Sequence, residues 1–113
     1  MVGSGRILFV GGQIGWTAEQ KFVAETFLEQ FAQALDNVID VVRAAGGEPS
    51  DIAEMTIYVT CLDAYREAGK ALGSLWRQRL GTHYPAMALV GVSGLVEPQA
   101  LVEISATALL SNG

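Results

Sequence analysis

The chain of 113 residues has one cysteine, one histidine and three prolines, and each scarcity narrows the field. Cys61 has no second cysteine with which to form an internal disulfide, so a disulfide framework is excluded and a reducing cytoplasm fits best. No Cys/His cluster has metal-ligand spacing, and nothing in the order of residues ties Cys61 to an activating base, so metal chemistry and nucleophilic catalysis have little support. Basic residues are also few: seven Lys and Arg against twelve Asp and Glu leave a net charge of −5. That balance argues against a broad phosphate-binding surface and so against nucleic acid as a partner. No stretch approaches the ~18 consecutive apolar residues of a membrane span, and the N-terminus lacks a basic region followed by an apolar run and a cleavage site. A soluble protein without a membrane partner is expected.

What is abundant is apolar material. Half the residues are hydrophobic and only 17% are charged, below the ~25% usual for soluble domains, so the chain can bury enough surface to order itself. Its length matches a single domain spanning residues 1–113. The shortage of charge suggests a buried contact between subunits.

Arg6 to Trp16 reads RILFVGGQIGW, which predicts a strand of about five residues entering a glycine-rich bend. Gly11 and Gly12 suit a bulge or sharp turn, or a close approach of another group to the backbone. From about Ala24 to Ala45, Phe27, Phe31, Leu35, Val38, Ile39 and Val42 recur at three- and four-residue intervals, predicting a long amphipathic helix stopped by Gly46 and Gly47. Glu54 to Cys61 alternates as a strand, with Met55, Ile57, Val59 and Cys61 on one face and Cys61 read as a small buried group. Asp63 is positioned to cap a second helix that carries Tyr65, Leu72, Trp76 and Leu80 and ends at Gly81.

Two strands follow the turn THYP, roughly Ala86 to Val92 and Leu101 to Leu110. In the last one Val102, Ile104, Ala106 and Ala108 share one apolar face, which can pack on the two helices. The expected fold is therefore a two-layer α+β sandwich, with a sheet of four or more strands and two helices on one face. Met87, Leu89, Leu101 and Leu109, or their neighbours, are expected on the opposite sheet face, which two helices cannot cover. An open apolar patch of that kind predicts burial between subunits, with clefts where protomers meet.

Glu103 alternates with largely apolar residues inside the last strand. A carboxyl group beside a dry interface loses solvation that favours its charged form, which would let it exchange protons near neutral pH. The other reading is an edge carboxylate paired with an arginine or backbone donors. His83, beside Tyr84, would position water or donate to a substrate, or else is an ordinary turn histidine.

Three segments, ILFVGGQIG, FLEQFAQALDNVIDVVRAAGGEPSDIAEMTIYVT and HYPAMALVGVSGLVEPQALVEISATAL, together resemble the RidA family, also called YjgF or reactive-intermediate deaminases. The resemblance covers roughly residues 5–110, with its motifs in family order. It implies a chorismate-mutase-like α+β fold with a mixed sheet, assembled as a homotrimer with three clefts between subunits. It also implies cofactor-free hydrolysis of reactive enamines or imines, such as 2-aminoacrylate or 2-iminobutanoate, to a 2-keto acid and ammonia. On the family pattern Glu103 holds or activates the attacking water. For a divergent member of that family, backbone donors around Gly12 and Leu89 would hold the polar end of the substrate, and Trp16, Tyr84 and Met87 would give an apolar or aromatic wall.

Several positions depart from that pattern. The family's Pro-Ala-Arg, whose arginine grips a substrate carboxylate, here reads Pro85-Ala86-Met87. Leu89 replaces a common cysteine, Gly11 a common serine, and the family's preceding strand with its tyrosine has no counterpart ahead of the first strand. Loss of a charge-assisted contact costs about 1.5–3 kcal/mol, roughly ten- to a hundredfold in affinity, which argues against ordinary 2-imino-acid deamination. The expectation is thus a divergent deaminase, with His83 as a candidate replacement anchor. The alternative is a trimeric small-molecule binding or regulatory protein that has lost catalysis, and a ribonuclease ranks third because the chain is acidic.

Overall fold

The computed structural model describes residues 2–22 and 25–112. Its elements are β1 (Arg6–Gln13), α1 (Phe27–Ala44), a single 3-10 turn (Pro49–Asp51), β2 (Ile52–Val59), α2 (Leu62–Leu80), β3 (Ala86–Gly91) and β4 (Val102–Leu110). The sheet order is β1-β4-β2-β3. β4 pairs antiparallel with both β1 and β2, whereas β3 lies parallel to β2 after the crossover through α2. The result is the expected α+β architecture of two helices against a mixed four-stranded sheet.

Packing follows the periodicities of the sequence. Phe31, Ala34, Leu35, Val38 and Val42 of α1 meet Val102, Ile104, Ala106 and Ala108 of β4 and Met55, Ile57 and Val59 of β2 in one core, completed by Trp76 and Leu80 of α2. β4 alternates strictly between buried and half-buried residues, which leaves Glu103, Ser105, Thr107 and Leu109 on the open face. A bidentate ion pair ties the helices together, with Arg79 Nε and Nη2 donating to Asp36 Oδ1 and Oδ2 at 2.7 and 3.3 Å.

The helix ends are chemically explicit. Thr26 caps α1 by accepting from the Glu29 amide at 3.2 Å, so the helix begins at Phe27, later than the expected Ala24, a residue that lies outside those described. At its other end Gly46, at φ +91°, takes the left-handed conformation. The Gly46 amide then bonds Arg43 O and the Gly47 amide bonds Val42 O.

Three expectations are corrected. β2 runs from Ile52 to Val59 rather than from Glu54 to Cys61, because Thr60 already turns away with its amide on Leu101 O. Cys61 is consequently exposed rather than buried, and its Sγ, not the Asp63 carboxylate, caps α2 by accepting from the Ala64 amide at 3.4 Å. Met87 and Leu89 are not on the open face. The parallel register aligns them with Met55 and Ile57, which point to the core, so they lie on the helix side of β3. The open face is nonetheless apolar: Ile7, Phe9 and Val90 are 60%, 77% and 40% exposed.

Leu35 is fully buried at the centre of the core. Leu35→Ala is expected to cost about 2–5 kcal/mol, read as a lower urea midpoint with an unchanged slope.

Candidate functional site

The site grows from an irregularity in β1. Its pairing with β4 passes from Val10–Ala106 directly to Gln13–Ile104, so three steps on β1 oppose two on β4 and Gly11–Gly12 form a bulge. Across from the bulge stands Glu103, which shares the open face with its β2 partner Tyr58. A Cβ added at Gly12 would lie 2.7 Å from both Cδ and Oε2 of Glu103. Only a residue without a side chain lets the carboxylate lie directly on the β1 backbone here, so both readings of the glycine pair hold at once.

Beyond the bulge the chain makes a loop that is pinned to α1. Asn37 Nδ2 donates to Ile14 O at 3.0 Å and to Trp16 O at 2.8 Å, and Gln33 Nε2 in turn donates to Asn37 Oδ1 at 2.9 Å. The Trp16 ring packs edge-on against Phe22 with centroids 5.8 Å apart, and its indole N–H is buried without an acceptor among the described residues. On the other side, buried Gln30 fixes the segment that enters β4, donating to Gln99 O at 3.0 Å and accepting from the Leu101 amide at 2.8 Å. Between these loops opens a groove of about 640 Å3 lined by Gly12, Gln13, Trp16, Asn37, Val96 and Glu103, among others. Asp40 and Glu97 also border it, and no Lys, Arg or His is among its lining residues.

The residues singled out from the sequence fall into three groups. Gly12, Trp16 and Glu103 meet in this groove. Tyr84, Met87 and Leu89 meet instead in a second cavity of about 390 Å3 between α2 and β3, behind which Trp76 stacks on Tyr84 at 6.0 Å. Within one chain Glu103 is on the open face and Met87 and Leu89 on the helix face, and the two sets share no cavity. His83 lines neither: its Nε2 is 2.8 Å from Ile52 O and its own carbonyl accepts from Trp76 Nε1 at 3.2 Å, so its polar atoms hold the turn before β3.

Gln30 and Asn37 were missed in the sequence. They stand seven residues apart, hence on one side of α1 beside its apolar stripe, and polar groups at such spacing can bind a neighbouring backbone. Among the described residues no group of three His, Cys, Asp or Glu side chains is placed to hold a metal ion.

Comparison with known proteins places this geometry in context. Residues 1–110 match the family model described as Endoribonuclease L-PSP. A RutC family protein of Aquifex aeolicus is 32% identical over 88 residues, 78% of this chain and 69% of that protein. A 2-iminobutanoate/2-iminopropanoate deaminase of Salmonella typhimurium is 30% identical over 105 residues, 93% of this chain and 80% of the deaminase. The crystal structure of a Rid-family protein of unknown function from Yersinia pestis superposes with a TM-score of 0.81 at 33% identity, covering 95% of this chain and 80% of that one.

Gly12→Ala tests the geometry. The atoms nearest its methyl, Cδ, Oε2 and Cγ, all belong to the Glu103 side chain, which can rotate away, so the melting temperature should stay within a few degrees of the parent while the carboxylate is displaced. A crystal structure of the variant with Glu103 unmoved would contradict this.

Proposed function

The chain belongs to the RidA/YjgF family, whose model carries the description Endoribonuclease L-PSP, and on that premise we propose that it is a cofactor-free hydrolase of small reactive enamines or imines. The observation that carries the reading is the Glu103 carboxylate held against Gly12 at the wall of a groove wide enough for a small molecule. In this reading Glu103 orients a water molecule, and takes a proton from it, as the water attacks the C=N carbon. Ammonia leaves when the C–N bond breaks. Backbone groups at the bulge hold the polar end of the substrate.

The reading includes an assembly. The apolar open face, with Ile7 and Phe9 largely exposed, favours burial against further copies of the chain. In the proposed homotrimer the Glu103 groove of one copy adjoins the Tyr84, Met87 and Leu89 cavity of the next, so that two sets that share no cavity within one chain face a common cleft. A small molecule and copies of the same chain are the partners, without nucleic acid or membrane. Among the described residues no helix is long and apolar enough to cross a membrane. A cytoplasmic location is proposed with it, in keeping with the lone free cysteine.

A second reading, a binding or regulatory protein without catalysis, is favoured by Met87 at the position of the family's arginine. Ammonia release from freshly generated imines separates the two. The hydrolase reading predicts release above the uncatalysed rate, with Glu103→Gln lowering kcat by ~100-fold or more. Release unaffected by that substitution would remove the role of Glu103. Saturable ligand binding without any turnover would favour the second reading.

A further inference from the structure

The cavity between α2 and β3 limits what the substrate can be. Its walls are aromatic and aliphatic: Tyr65, Leu72, Trp76, Tyr84, Met87 and Leu89. Gly69 and Gly73 of α2 also face it, which widens the space by leaving out two side chains. Gly69 at φ +42° also breaks the helical backbone there. At about 390 Å3 the space lies within the ~300–1,000 Å3 of small-molecule sites. No lining residue carries a formal charge. Arg77, on the same helix, packs its guanidinium over Gly73 and donates to Ser74 Oγ at 3.4 Å, and it is not among the lining residues. The Glu103 groove offers no cation either, but carries Asp40, Glu97 and Glu103.

A carboxylate entering such a space would lose hydration with no cation among the lining residues to offset the loss, and in the groove it would meet like charge. An uncharged aromatic or branched group would gain instead, by burying apolar surface against four aromatic residues, Phe31, Tyr65, Trp76 and Tyr84. A protonated imine would also be favoured beside the carboxylates of the groove.

Building on the hydrolase reading, we infer that the substrate is an imine with no carboxylate on its C=N carbon, whose aryl or bulky alkyl group occupies the α2–β3 cavity. The reaction balances without an oxidant. Water adds its oxygen to the carbon of R–CH=NH2+, a proton passes through Glu103 to nitrogen, and the C–N bond breaks to give R–CHO and NH4+. Imines of this class arise by two-electron oxidation of primary amines, so an amine oxidase or dehydrogenase reaction stands upstream.

A matched pair tests the inference. Phenethylamine and phenylalanine differ only by a carboxylate, and each is converted to its imine in situ by the corresponding flavin oxidase. The expected result is faster hydrolysis of the phenethylamine imine, with kcat/KM at least about tenfold above that for the phenylalanine imine, and loss or reversal of this preference in Met87→Arg. A wild-type preference for the phenylalanine imine would overturn the inference while leaving the deaminase reading intact.

Acceleration of neither imine would instead remove the deaminase reading, and calorimetry on the wild-type protein then tests the cavity alone. Phenethyl alcohol binding at least about tenfold more tightly than phenyllactate would support the assignment of the cavity to an uncharged aryl group. Equal binding, tighter binding of phenyllactate, or no binding of either would overturn it.

Discussion

The contact on which the rest depends is that of one carboxyl group with one glycine. Glu103 stands on β4, one of the two strands with a partner on both sides, and alternation fixes its direction: the neighbours Val102 and Ile104 are locked into the core, so Glu103 must face the other way. The bulge at Gly11–Gly12 then brings a backbone without side chains beneath it. The backbone that carries this carboxylate is held more firmly than a loop would hold it, because shifting the strand requires shifting the core. The loops around it are fixed by amides from α1, Gln30 on one side and Asn37 on the other. The same helix therefore fills the core and sets the walls of the groove.

Much of this is legible in the residues themselves. The heptad-like spacing of Phe31, Leu35, Val38 and Val42, the alternation through β4, and the glycine stop after α1 each express a local rule that tertiary structure did not override. Placement of β2 slipped by two residues because the turn Pro49–Asp51 is only three residues long and the strand begins directly after it, at Ile52. The faces of Met87 and Leu89 were not readable at all. AMALVG has no polar alternation, so its orientation is set by register against β2, a non-local property. Cys61 illustrates a further limit, since a residue continuing an alternating pattern was diverted to a helix cap.

The site was legible in its members but not in its arrangement. Gly12 and Trp16 meet Glu103 from the far end of the sequence within one chain, whereas Tyr84, Met87 and Leu89 meet one another in a separate cavity. This separation gives the exposed apolar face its meaning. A monomer would be left with Phe9 and Ile7 in water and with its two cavities unconnected, whereas the proposed assembly across that face would cover the apolar surface and join them. In the proposed composite cleft the uncharged lining around Met87 would favour a substrate of different charge from that of a cleft built around a guanidinium.

Sedimentation equilibrium at micromolar concentration tests the assembly most directly. The account predicts a single species of about 36 kDa, three times the 12.0 kDa chain, that dissociates when Phe9 is replaced by aspartate. A stable species of 12.0 kDa, with no heavier form as concentration rises, would contradict it.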